Sequence, residues 1–105
     1  MFTFIETRLF TRLADEYLGD EGLRALQEYL LLHPQSGDLI RGSGGVRKVR
    51  WALPGRGKSG GIRVIYYLQS LQGQVWLLTL YPKNVQDSIP GHLLRKIKDE
   101  IDEES

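Results

Sequence analysis

The residues best suited to chemistry are cations gathered in the middle of the chain. The segment RKVRWALPGRGKSGGIRVIYY, residues 47–67, contains six lysines and arginines and no carboxylate. Residues 39–86 hold eight cations and no acid, whereas residues 1–38 hold three cations and seven acids, a formal −4, and residues 87–105 hold three and six, −3. This concentration of positive charge favours a nucleic acid or an acidic protein segment as partner. The alternative is a charged strand face that meets only solvent.

Three of these cations are predicted to lie together on two neighbouring strands. The segment VRKVRWAL alternates, so in an extended strand Lys48 and Arg50 share one face while Arg47 points to the other. The next strand, IRVIYYL, places Arg63 on one face with Ile65 and Tyr67. The glycine-rich loop between the two strands adds Arg56 and Lys58.

If the anionic partner is RNA, this set of residues suits cleavage by the RNA's own 2′-hydroxyl. The protein then supplies in-line geometry and cations around the charge that develops at phosphorus. Lys48, Arg50 and Arg63 are the residues predicted to do this. The segment contains no conventional acid or base for proton transfer. Tyr81, or a lysine whose pKa is lowered by cationic neighbours, would have to serve. Tyr81 ends the strand of LLTLYPKN beside Lys83, where its ring is also suited to stack on a base.

Other kinds of site find little support. GRGKSG matches a dinucleotide-binding pattern, but a strand rather than a helix is predicted after it, and the glycine that a P-loop needs is Ala52. The chain has no cysteine, so it lacks thiolate chemistry and the common zinc patterns. Its two histidines, His33 and His92, are at predicted helix ends and are typical of surface or capping residues. We therefore expect no metal and no cofactor.

The elements that position these residues are predicted in the order β-α-α-β-β-β-α. FTFIE alternates like a strand, apolar residues from Leu9 to Leu18 follow helical spacing, and a second helix begins at Asp20 and stops before Pro34. VRKVRWAL, IRVIYYL and VWLLTLY are the later strands, and a helix follows Pro90. We expect an α+β fold in which two N-terminal helices pack on an antiparallel sheet, as a single domain over residues 1–105. The lack of a signal peptide or a long apolar run predicts a cytoplasmic protein without a membrane segment.

The element order, the alternating RKVRW, the block GRGKSGGIRVIYY and the strand end LLTLYPKN resemble the RelE superfamily of bacterial toxins, and most closely its HigB-like branch. The resemblance extends over nearly the whole chain. It implies a toxin of a toxin–antitoxin pair that cuts messenger RNA in the ribosomal A site without a metal. It also implies a neutralising antitoxin, often with a helix-turn-helix domain, and binding to operator DNA only through the toxin–antitoxin complex.

Roles follow from the resemblance position by position. Lys48 and Arg50 match the paired basic residues of the family's second strand, Arg63 the arginine of its third strand, and Lys83 the basic residue after its last strand. Tyr81 matches a tyrosine or histidine whose position varies in the family. The sequence departs from branches that use a glutamate or histidine as base, because neither occurs in residues 39–86. The predicted catalytic residues are Lys48, Arg50, Arg63 and Tyr81, and the predicted RNA- or ribosome-binding residues are Arg47, Arg56, Lys58 and Lys83. The other hypothesis is a non-catalytic nucleic-acid-binding module, or a degenerate toxin, that uses the same basic groove.

Overall fold

The protein is described by a computed structural model whose described residues are 2–53, 61–85 and 88–104. Five strands and three helices occur within these ranges, in an α+β arrangement as predicted. The elements are β1 (Thr3–Glu6), α1 (Arg8–Tyr17), α2 (Gly19–Leu32), β2 (Asp38–Leu39), β3 (Val46–Trp51), β4 (Ile62–Gln69), β5 (Gln74–Pro82) and α3 (Gly91–Glu103).

The strands form one sheet in the order β1-β5-β4-β3-β2. The antiparallel meander predicted for β3, β4 and β5 is confirmed. The prediction of a wholly antiparallel sheet is wrong, because β1 pairs with β5 in parallel, with Thr3 opposite Gln74. β1 extends the sheet at the free edge of β5, where the Thr7 N–H donates to the Leu77 carbonyl at 3.1 Å. The sequence also did not predict β2, a two-residue strand that pairs with the start of β3.

Helices α1 and α2 cover one side of the sheet, which we call the α1/α2 face. Thr7 caps the N-terminus of α1, and its side-chain oxygen accepts a hydrogen bond from the Phe10 N–H at 3.0 Å. Phe10 and Ala14, four residues apart, place their buried side chains on the same side of α1. The cluster they join is completed by side chains from α2 and from the sheet: Leu26, Leu30, Val49, Leu53, Ile62, Val64, Tyr66, Val75, Leu77 and Leu80.

Helix α3 packs on the opposite side, which we call the α3 face. Leu94 and Ile101, seven residues apart, are the buried side chains of α3. They belong to a second apolar cluster with residues of all three meander strands: Val46, Ile65, Tyr67, Leu78 and Tyr81. Both sides of the central strands are thus covered, which explains why β4 and β5 are apolar along most of their length.

Replacing Tyr66 with phenylalanine is expected to lower the free energy of unfolding by about 1–3 kcal/mol. The fully buried Tyr66 hydroxyl donates to the Pro34 carbonyl at 2.8 Å and accepts from the Gly37 N–H at 3.0 Å. Its loss leaves the buried Gly37 N–H and the partly buried Pro34 carbonyl without this partner in the segment between α2 and β2. Urea denaturation should show the loss, with Tyr29→Phe on a more exposed tyrosine as control. Equal stability of the two variants would contradict the expectation.

Candidate functional site

Three of the predicted catalytic residues form one row across the sheet. Arg50 on β3 is directly opposite Arg63 on β4, and Arg63 is directly opposite Tyr81 on β5. Opposed residues of an antiparallel pair lie on the same face, with Cβ atoms about 4.5–5.5 Å apart. Lys48 is two positions before Arg50 and therefore shares its face. We call these four residues the basic row: Lys48, Arg50, Arg63 and Tyr81.

A β-bulge in β5 keeps Tyr81 on this face. Tyr66 pairs with Leu77 and the preceding Ile65 pairs with Thr79, so Leu78 has no partner in β4. In a regular strand Trp76 and Tyr81, five residues apart, would point to opposite faces. The extra residue brings both into the α3-face cluster.

Among the described residues, no carboxylate forms a salt bridge with Lys48, Arg50 or Arg63. Arg50 is exposed, and Lys48 and Arg63 are half-buried. Like charges placed directly opposite on neighbouring strands destabilise a sheet. The salt bridges in the described ranges all involve Lys98, so none of these three cations is neutralised by one. The row is therefore suited to an anion that bridges its members.

Tyr81 is nearly buried, with 5% of its surface exposed. Its ring belongs to the apolar cluster under α3. The stacking on a base that the sequence suggested for Tyr81 needs an accessible ring face, which this conformation does not offer. A role in proton transfer needs only the hydroxyl.

The predicted binding residues are placed differently from one another. Arg47 lies on the α1/α2 face, where its Nη1 donates to the carbonyls of Gln35 at 3.1 Å and Gly37 at 2.8 Å. The sheet therefore separates Arg47 from the basic row. Lys83 is exposed just after β5, and its N–H donates to the Gly61 carbonyl at 3.4 Å, at the same end of the sheet as Arg63. Arg56 and Lys58 lie outside the described residues.

Asp38 is a further candidate for this site, one that the sequence did not predict. It is exposed on β2, directly opposite Lys48, and so lies on the α3 face beside the basic row. Asp38 is the last acid before the acid-free segment of residues 39–86. The sequence signal that could have placed Asp38 beside Lys48 is the glycine-rich segment that follows it. Gly42, Gly44 and Gly45 all have positive φ, and they allow the chain to turn back into β3.

A polar group at the end of α3 fastens this helix to the sheet. The Tyr67 hydroxyl donates to Asp102 Oδ1 at 2.8 Å, and Lys98 Nζ lies 2.9 Å from Asp102 Oδ2. Burial, aided by the Asp102 carboxylate, raises the pKa of Tyr67 to about 12. Burial acts to raise the pKa of Asp102, but hydrogen bonds from Lys98 and Tyr67 outweigh it and lower that pKa below its ordinary value.

This contact makes a prediction about alkaline pH. Because the folded-state pKa of Tyr67 exceeds the ordinary value of 10.0, its contribution to stability is complete below pH 10 and is lost as the pH rises through about 12. Tyr67→Phe lacks this titration. The free energy of unfolding should be measured by urea denaturation at a series of pH values from 8 upward. We expect the difference in this free energy between wild type and Tyr67→Phe to shrink above pH 10. A constant difference over that range would refute the assignment.

In the described ranges no group of three or more histidine, aspartate or glutamate side chains is arranged to hold a metal ion. None of the described helices combines the length and apolar character needed to cross a bilayer. No protein-family model matches the sequence.

Proposed function

We propose that this protein is a metal-independent endoribonuclease that cuts messenger RNA in the ribosomal A site, as the toxin of a toxin–antitoxin pair. The observation that carries the proposal is the basic row, in which three neighbouring strands bring Arg50, Arg63 and Tyr81 side by side with Lys48 next to them. The proposal that the ribosome and an antitoxin are its partners rests on the resemblance to RelE-type toxins.

In the proposed reaction Arg50, Arg63 and Lys48 surround the scissile phosphate. A base takes the proton of the neighbouring 2′-hydroxyl, whose oxygen attacks phosphorus. The bond from phosphorus to the 5′-oxygen breaks, and that oxygen takes up a proton. The products are a 2′,3′-cyclic phosphate and a 5′-hydroxyl. The cations stabilise the added negative charge of the transition state.

Asp38 is our candidate for the base. Its carboxylate is opposite Lys48 at the edge of the sheet, and its exposure leaves it accessible to a bound RNA. The Tyr81 hydroxyl, on the other side of Arg63, is our candidate donor for the leaving 5′-oxygen. Asp38 on β2 and Tyr81 on β5 lie on either side of the two strands that carry the cations.

The proposed partners match the charge of this surface. Lys83, and Arg56 and Lys58 of the glycine-rich loop, would bind the phosphates of ribosomal or messenger RNA. An acidic antitoxin segment would neutralise the toxin by covering the same cations or by keeping the toxin out of the A site. Operator DNA would be bound only by the toxin–antitoxin complex.

A non-catalytic RNA-binding module is the second candidate function, and the burial of Tyr81 favours it, because a 5% exposed side chain has little access to substrate. Expression in a bacterium separates the two. We expect new messenger RNA ends within codons and growth arrest, both abolished when the neighbouring antitoxin gene is expressed. Ribosome binding without new RNA ends would support the binding module.

A further inference from the structure

We propose that an aromatic cluster on the α1/α2 face, formed by Tyr29, His33 and Trp51, binds one unpaired nucleobase of the RNA held at the basic row. The inference rests on the proposed function for its RNA ligand. It adds a binding site on the opposite face of the sheet, which the sequence analysis did not predict.

The three rings form a continuous chain of contacts. The ring centroids of Tyr29 and His33 are 5.0 Å apart, and those of Tyr29 and Trp51 are 5.4 Å apart, with tilts of 46° and 60° between the planes. His33 and Tyr29 are exposed and Trp51 is half-buried at the end of β3. Packing supports Trp51 from below, because it contacts the cluster under α1 and α2. Anchored aromatic rings with accessible surface are the platforms on which proteins stack bases.

The cluster and the basic row lie on opposite faces of β3, near its C-terminal end. Arg50 and Trp51 are consecutive in β3 and therefore point to opposite faces. β2 pairs with β3 only at Arg47 and Lys48, so no described strand covers the outer side of Val49–Trp51. A single RNA strand leaving Arg50 can pass over this edge and reach Trp51 within about one or two nucleotides, because a packed sheet layer is only about 10 Å thick.

The surroundings of the cluster suit a base attached to a phosphate. A surface depression of about 290 Å³ adjoins it, lined by His33, Pro34, Gln35 and Ser36. This volume is close to the roughly 300 Å³ at the lower end of small-ligand sites. Arg47 donates to the Gln35 carbonyl and so places a cation beside the depression. Of the three cations of β3, Arg47 is the one on this face, and its charge favours an anionic ligand over a basic or neutral peptide.

The test uses Trp51 as its own reporter. The chain has two tryptophans, so Trp76→Phe leaves Trp51 as the single one. A short single-stranded RNA with 2′-O-methyl groups binds without being cut, because its nucleophile is blocked. We expect its bases to quench Trp51 fluorescence on binding. Binding with unchanged Trp51 fluorescence, or no binding of this RNA to the protein, would overturn the inference.

Substitutions then test whether the aromatic cluster binds the base. Tyr29→Ala and His33→Ala should each weaken RNA binding, and the pair together by roughly 5- to 150-fold, the usual effect of losing base stacking. The salt dependence should stay the same, because stacking releases no counterions, whereas Arg50→Ala should reduce it. Leu32→Ala, on the neighbouring exposed residue of α2, is the control. Wild-type affinity in the Tyr29→Ala, His33→Ala double variant would overturn the inference.

Failure of this inference and failure of the proposed function give different results. If the double variant cuts messenger RNA on ribosomes normally and binds RNA normally, the nuclease remains and the stacking site is wrong. If the wild-type protein never cuts RNA but Trp51 is quenched and the double variant binds weakly, the stacking site stands on a non-catalytic protein. Quenching of Trp51 by an acidic peptide, with no response to RNA, would assign the surface to a protein partner instead.

Discussion

Replacing Arg63 with alanine is expected to slow single-turnover cleavage of messenger RNA on programmed ribosomes by about 10²–10³-fold. Arg63 is the central member of the basic row, with Arg50 opposite it on one side and Tyr81 on the other. In the proposed reaction, a cation at this position would stabilise the negative charge that is added in the transition state. Ribosome binding should weaken far less, because Arg63 would be one of several proposed phosphate contacts.

Arg12→Ala is the matched control, because Arg12 is an exposed arginine on α1. It should cut at the wild-type rate. Urea denaturation of both variants separates a catalytic loss from unfolding. If ribosome-bound Arg63→Ala cuts as fast as wild type, Arg63 has no part in the chemistry.

Replacing Asp38 with asparagine is expected to reduce the cleavage rate by about 10²–10⁴-fold, the usual contribution of a general base. Asparagine has nearly the same shape but cannot accept the proton of the 2′-hydroxyl. Asp38→Glu, which keeps the carboxylate on a longer side chain, should recover part of the rate. Rescue by glutamate would not be expected if Asp38 served only to hold β2 in place.

Asp20→Asn, at an exposed acid in the first turn of α2, serves as the control and should be fully active. The assay should again be single-turnover cleavage on programmed ribosomes, with binding measured separately. Full activity of Asp38→Asn would move the role of base to another group, the Tyr81 hydroxyl first.

The predictable part of the fold is the part governed by short-range patterns. Alternation in VRKVRW predicts a strand because its apolar residues must face a core, and the spacing of Phe10 and Ala14 predicts a helix for the same reason. The partner of β1 could not be predicted. The alternation of its four residues is compatible with any neighbouring strand. Its parallel pairing with β5 depends on the path that the chain takes through α1 and α2.

The site follows the same division. Alternation within β3 and the meander together predict that Lys48, Arg50 and Arg63 share a face. The position of Tyr81 depends on the bulge at Leu78. Because β5 is apolar on both faces, its sequence shows no alternation from which a bulge could be predicted. Asp38 enters the site through the pairing of a two-residue strand, which is too short to show periodicity. The hydrogen bonds of Arg47 could not be predicted from the sequence either. Its partners are the carbonyls of Gln35 and Gly37, which only the tertiary fold brings close to β3.

The most direct measurement of the central claim compares two messenger RNAs on programmed ribosomes with the wild-type protein. One is unmodified, and the other carries a single 2′-deoxy nucleotide on the 5′ side of the scissile bond. We expect the unmodified RNA to be cut in the A site, without added metal beyond that of the ribosome buffer, to a 2′,3′-cyclic phosphate, and the deoxy RNA to remain intact. Equal cutting of the two RNAs, or binding of the protein without cutting either, would contradict the account.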